Sequence, residues 1–196
     1  MEISKEKKAL RARLLDIRMD MNAETWSRRS KQIVDELKQL PEFLKAERIH
    51  CYVSMNQRHE IETHSLIQEL LNENKKVIVP VTNFEDGTLQ HIPLESWNEL
   101  NENKWGILEP KSSTPYQGEF DVILVPLLAA DKKFNRLGYG KGFYDRFLSS
   151  TNATKIGLLF HEYLMNQIPV DDHDEKLDIL ITDEITLRRN NDEISA

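Results

Sequence analysis

Phe120-Asp121-Val122-Ile123-Leu124-Val125-Pro126 is the stretch on which the fold turns. A strand with one wet face alternates apolar and polar residues. Val122 to Val125 does not alternate, so both of its faces have to be covered, which puts it centrally in a sheet flanked by helices. Downstream, Lys155 to Phe160 and Leu177 to Thr182 read as further strands; upstream, Arg48 to Ser54, Lys76 to Val81 and the shorter Leu89 to Leu94 do the same. Helical periodicity fills the intervals. Leu10, Leu14, Ile17 and Met21 mark a helix over 5–21, and Trp26, Ile33, Val34 and Leu37 a second over 23–39. Asn22 is its expected N-cap and Pro41 its expected stop. Leu66, Ile67, Leu70 and Leu71 predict a helix from Thr63 to Asn72, and a short one is expected from Gly142 to Ser149. Strands that alternate with helices predict an α/β fold: a three-layer α/β/α arrangement with a mainly parallel, Rossmann-like sheet and helices on both faces. Residues 95–118 have no clear period and read as loop with at most one helical turn. No internal repeat and no linker divides the chain, so 1–196 is read as a single domain.

The 196 residues carry a net charge of −7, which argues against a duplex-binding protein with a basic face. One cysteine, Cys51, excludes an internal disulfide and argues against a cysteine zinc site. Its apolar neighbours predict a small buried strand residue over a reactive thiol. The first eight residues lack the apolar core of a signal peptide, and Val122 to Ala130 is too short to span a bilayer, so a soluble cytoplasmic protein is expected. Charge is uneven. Residues 1–48 hold 12 basic and 9 acidic side chains, whereas residues 162–196 hold 3 and 10. Against the acidic trend, residues 131–146 carry Lys132, Lys133, Arg136, Lys141 and Arg146 opposite Asp131 and Asp145. A basic island in an acidic chain points to a local anionic ligand.

That island contains Arg136-Leu137-Gly138-Tyr139-Gly140-Lys141-Gly142-Phe143-Tyr144-Asp145-Arg146, beyond the carboxyl end of the central strand, where open α/β sheets bind ligands. Glycine at every second position lets backbone approach a ligand and aim successive N–H groups at it. The following helix start, Arg136 and Lys141 add positive charge for phosphate oxygens. The string reads as a polyphosphate cradle, with a glycine-rich turn carrying solvated charges as the alternative. Its spacing is neither the dinucleotide fingerprint nor a P-loop.

The string resembles the signature of the 5-formyltetrahydrofolate cyclo-ligase family, also called 5,10-methenyltetrahydrofolate synthetases. Lys7-Lys8-Ala9-Leu10-Arg11 is similar to that family's N-terminal Lys-x-x-Leu-Arg, and Glu60-Ile61-Glu62-Thr63 to its Glu-x-x-Thr folate element. Trp105-Gly106-Ile107 with Glu109-Pro110, and His173-Asp174 followed by Leu177-Asp178, match further landmarks in the same order. The resemblance implies an ATP-dependent ligase that uses Mg²⁺ to convert 5-formyltetrahydrofolate to 5,10-methenyltetrahydrofolate, releasing ADP and phosphate through a phosphorylated formyl group. It further implies ATP binding by Lys7, Arg11, Arg136, Gly138, Gly140, Lys141, Gly142 and Tyr144, with Lys141 and Arg136 as the catalytic cations. Asp145 and Asp174 would hold Mg²⁺. Val53, Glu60, Trp105, Tyr139 and Phe143 would contact folate, with Glu60 on the pterin's amino edge. The stretch Met55 to His59 is longer than the family pattern suggests, which leaves Glu62 as a competitor for Glu60.

Each residue also has a structural reading. Lys7 and Arg11 are spaced like a solvated basic face, Asp145 like a helix-start acid, and Asp174 like one more acid beside Asp171, Asp172 and Glu175. The expected partners are ATP and 5-formyltetrahydrofolate, with or without a polyglutamate tail. No nucleic acid, no membrane and a monomeric chain are expected. The rival functions are a sugar-phosphate-type isomerase on a similar scaffold and a non-catalytic nucleotide-binding module.

Overall fold

A computed structural model describes residues 2–83, 85–103, 106–111 and 114–189. The chain begins with α1 (Glu2–Met19) and α2 (Ala23–Leu37). Asn22 caps α2 as its residue type predicts, accepting the Thr25 N–H at 2.9 Å. Pro41 does not simply end that helix: it opens a five-residue helix, α3 (Pro41–Lys45), where its missing N–H costs nothing. Next come β1 (Arg48–His50), α4 (His64–Asn72), β2 (Lys76–Asn83) and β3 (Thr88–Leu94). Residues 95–118, expected as loop with at most one helical turn, hold a 3₁₀ turn (Trp97–Glu99) and, beyond that expectation, a β-hairpin: β4 (Leu100–Glu102) and β5 (Leu108–Pro110). Its strands are three residues each, too short for a period-2 pattern to register. After β6 (Val122–Val125) come β7 (Ala129–Asp131), β8 (Arg136–Leu137), α5 (Phe143–Leu148), β9 (Thr154–Leu158), β10 (Leu164–Met165), β11 (Ile179–Ile181) and β12 (Thr186–Arg188).

Seven strands form the main sheet in the order β12-β11-β9-β6-β1-β2-β3. The five inner strands are parallel, while β3 and β12 pair antiparallel at the edges. The apolar stretch that suggested a central strand becomes β6, fourth of seven, with all four residues buried. Its register sets Val122 beside Ile49 on one side and beside Thr154 on the other. From β1 the chain runs through α4 to β2 in one direction; from β6 it runs through α5 to β9 in the other. The strand order therefore reverses between β1 and β6, and the right-handed crossover rule puts the two connecting helices on opposite faces. On the α5 face, Phe147 packs 4.9 Å from the fully buried His50 of β1.

The reversal opens a crevice beyond the carboxyl ends of β1 and β6. A small second sheet, β10-β7-β8, stands beside it and aims the glycine string. The turn between β7 and β8 is held by Asp131, which is fully buried. Its carboxylate accepts the N–H groups of Lys133 (2.9 Å), Asn135 (3.1 Å) and Ile168 (3.2 Å), together with the Asn135 amide. A buried carboxylate satisfied by that many donors makes a rigid turn, and Arg136 leaves it in a fixed direction.

Candidate active site

One cavity of about 1400 Å³ occupies the crevice. Its walls come from α1, the segment after β1, the β2–β3 and β4–β5 hairpins, the glycine string and residues 171–175. Motifs separated by up to 167 positions in the chain therefore share one space.

The glycine string forms one wall. Arg11 of α1 donates Nε–H to the Gly138 carbonyl at 2.8 Å and lies flat against the string. Gly140 is glycine for two reasons. Its φ is +87°, and a Cβ there would stand 2.9 Å from the Arg11 guanidinium carbon. Lys141 follows, exposed, with its side chain on the cavity. Gly142, at φ +69°, caps the six-residue α5. Arg146 reaches back to the Gly87 carbonyl (Nε to O, 3.1 Å) and fastens the string to the β2–β3 turn. The Tyr144 hydroxyl is buried without a hydrogen-bond partner among the described residues, and burial pushes its pKa well up.

Acidic side chains meet the cations on the same cavity. Arg136 Nη2 contacts Asp145 Oδ1 at 2.5 Å, and that oxygen also accepts the Glu175 N–H at 3.3 Å. Lys7, only 5% exposed, bridges Asp171 (2.7 Å) and Asp174. Asp174 also accepts the Asp171 N–H at 2.7 Å. The basic pair on α1 is thus not a solvated face: Lys7 is buried in an ion pair and Arg11 is docked on the string. Asp145 and Asp174 offer the hard oxygen donors that Mg²⁺ takes alongside phosphate oxygens, so the donor set suits that ion. Among the described residues no three His, Cys, Asp or Glu side chains gather as a metal-holding group. An ion there would complete its shell with phosphate or water.

At the other end lies Glu60, 6% exposed and lining the cavity with Val53 and Tyr139. One Glu60 oxygen accepts the Met55 N–H at 2.7 Å and the other accepts the Tyr139 hydroxyl. The 55–59 stretch forms a 3₁₀ turn, Asn56–Arg58, closed by His59 in the left-handed region at φ 49°. Beyond this turn Glu60 lines the cavity. Glu62 points away: its Oε1 accepts the N–H groups of His64 (2.5 Å) and Ser65 (3.1 Å), a cap for α4. Phe143 lines the cavity, whereas Trp105 lies outside the described residues. Cys51 is fully buried, and burial pushes its thiol far up, so it behaves as a core residue.

Met55, Arg58, Leu108, Glu109 and Asp171, to which the sequence assigns no site role, also line the cavity. Nothing separates Asp171 from its acidic neighbours until the fold brings Lys7 to it.

The model of the 5-formyltetrahydrofolate cyclo-ligase family matches residues 3–183. The 5-formyltetrahydrofolate cyclo-ligase of Mus musculus is 30% identical over 190 residues, covering 90% of this chain and 93% of its own. That of Haemophilus influenzae is 31% identical over 186 residues, covering 91% and 98%. The NMR structure of Aquifex aeolicus 5,10-methenyltetrahydrofolate synthetase superposes with a TM-score of 0.83 at 30% identity, over 97% of this chain and 96% of that one.

Proposed function

The chain belongs to the 5-formyltetrahydrofolate cyclo-ligase family, and from that premise we propose that it closes 5-formyltetrahydrofolate to 5,10-methenyltetrahydrofolate with ATP as phosphoryl donor. The observation that carries this reading is the convergence on one cavity of four cations (Lys7, Arg11, Arg136, Lys141), two carboxylates (Asp145, Asp174) and a separate inward carboxylate, Glu60.

A formyl oxygen on N5 is a poor leaving group. Its attack on the γ-phosphorus of ATP breaks the bond to the bridging oxygen, releases ADP and leaves a formyl carbon activated by an O-phosphate. N10 of the same folate attacks that carbon, N10 gives up its proton, and the C–O bond breaks with inorganic phosphate as leaving group. Such chemistry needs positioning and charge neutralisation rather than a protein nucleophile. The backbone of the glycine string would approach the triphosphate. Arg136 and Lys141 would meet the negative charge that moves between the oxygens during transfer. Lys7 and Arg11 would hold the phosphates from the α1 side. A Mg²⁺ held by Asp145 and Asp174, when bound, would supply Lewis-acid neutralisation of phosphate charge. Glu60 would accept hydrogen bonds from the pterin's amidine-like donor edge. Two of the four lone-pair sites on its carboxylate already carry protein bonds, which leaves two.

The test is direct: protein, ATP, Mg²⁺ and 5-formyltetrahydrofolate are mixed and the longer-wavelength absorbance of the methenyl product is followed. The proposal expects product only when nucleotide and Mg²⁺ are both present, with one ADP formed per methenyl group. Turnover without ATP would favour an isomerase-type reaction, and ATP binding without turnover a binding module.

A further inference from the structure

Arg18 stands in the last turn of α1, behind the folate end of the cavity rather than on it. It is 4% exposed, and among the described residues no carboxylate lies within ion-pair distance of it. Its Nε is buried without a hydrogen-bond partner among those residues. A buried cation in that condition opposes folding, so stability alone gives no reason for it.

Its one side-chain hydrogen bond among the described residues supplies the reason. Arg18 Nη2 donates to the Tyr139 hydroxyl oxygen at 2.8 Å, with the guanidinium carbon 5.9 Å from the tyrosine ring centre. The Tyr139 hydroxyl in turn donates to Glu60 Oε1. A hydroxyl has one proton and a guanidinium can only donate. With Arg18 on the oxygen, the tyrosine proton has nowhere to go but Glu60. Burial and the neighbouring Glu60 carboxylate hold the Tyr139 pKa well up, so that proton stays on the ring oxygen. The arrangement is gripped from behind as well: His59 Nδ1 lies 3.0 Å from the Arg18 carbonyl oxygen, and Trp26 Nε1 donates to the Glu60 carbonyl at 2.7 Å.

We infer that Arg18 is a positioning residue for folate: acting through Tyr139, it fixes which Glu60 lone pairs face the cavity and hence how the pterin's donor edge is received. This rests on the assignment of Glu60 to the pterin. Tyr139 then shapes the pocket through its hydroxyl.

The test compares the full-length wild type with Arg18→Met, Arg18→Lys, Tyr139→Phe and the Arg18→Met/Tyr139→Phe double variant, measuring kcat and the KM for each substrate. Arg18→Met is expected to raise the KM for 5-formyltetrahydrofolate about tenfold, with kcat and the KM for ATP within twofold of wild type. Arg18→Lys, which keeps a donor-only cation, should recover most of that loss. In the Tyr139→Phe background Arg18→Met should add nothing. If Arg18→Met does not fold, Tyr139→Phe still carries the test, because it removes the same link and should raise folate KM alone. Equal losses for both substrates, or an undiminished Arg18 effect without the tyrosine hydroxyl, would overturn the inference while leaving the proposed function intact. A wild type that never turns over 5-formyltetrahydrofolate would overturn the proposed function and this inference with it.

Discussion

Lys7 Nζ lies 2.7 Å from Asp171 Oδ2 and bonds Asp174 as well, so the second turn of the first helix is locked to the acidic segment that precedes β11. Arg136 and Asp145 make the matching pair on the glycine string, at 2.5 Å. Cations assigned to phosphate and carboxylates assigned to the metal neutralise one another in this arrangement. On the proposed reading, Mg²⁺ and ATP enter by partner exchange: each carboxylate passes from cation to metal and each cation from carboxylate to phosphate. The two ligands should therefore bind cooperatively.

Calorimetric titration with ATP should show affinity rising more than tenfold when Mg²⁺ replaces chelator. Asp174→Asn should lose most of that gain, and Lys7→Met should weaken ATP binding about tenfold or more, the scale of one charge-assisted hydrogen bond. Equal ATP affinity with and without Mg²⁺ would remove the exchange from the account.

Lys141 offers a second test. It stands exposed between two left-handed glycines and lines the cavity. A mobile charge facing the transferred group stabilises the transition state more than the bound substrates. Lys141→Ala should cut kcat about a hundredfold with the folate KM changed less than threefold, read from steady-state rates. A loss confined to folate KM would move Lys141 away from the phosphoryl group.

Glu60 and Glu62 can be told apart by substitution. Glu60→Gln exchanges a charged acceptor for an amide and should raise folate KM roughly thirtyfold, about 2 kcal/mol, with the KM for ATP unchanged. Glu62→Gln touches the α4 cap instead and should lower stability by about 0.5–1 kcal/mol in urea unfolding while leaving both KM values near wild type. The reverse pattern would hand the pterin to Glu62.

A pH prediction comes from the opposite face of the sheet. His91 Nδ1 lies 3.2 Å from His50 Nε2, among Phe120, Tyr144 and Phe147. Burial holds His50 well below its usual value and brings His91 down to about 4. Both folded values lie below the ordinary 6.5, so the unfolded chain takes up protons first as pH falls. Stability present above about pH 6.5 should decline steadily toward pH 4. Asp121, held at about 2 by Arg48, loses its contribution only below about pH 4, outside that window. The urea midpoint should therefore drop between pH 7 and pH 5, and His91→Phe should flatten the drop. An unchanged slope in the variant would acquit the histidine pair.

The chain order of strands and helices was readable because burial on both faces leaves a continuous apolar run, as in Val122 to Val125, and amphipathic helices leave a period. The β4–β5 hairpin and the β7–β8–β10 sheet left neither, being strands of two or three residues whose pairing is decided by tertiary contacts. At the site, Gly140 and Lys141 could be singled out because the spacing of the glycine string carries chemistry locally, and Glu60 because its motif resembles the family's folate element. Arg18 could not: its part depends on Tyr139, 121 positions away, and only folding brings the two together. Trp105 lies outside the described residues.

The central claim is that the formyl oxygen itself is phosphorylated in this cavity. It can be followed atom by atom with 5-formyltetrahydrofolate carrying ¹⁸O in the formyl group, turned over with unlabelled ATP and Mg²⁺ in unlabelled water, and the released inorganic phosphate weighed by mass spectrometry. The account predicts one ¹⁸O atom in each phosphate formed. Unlabelled phosphate accompanying the methenyl product would contradict it.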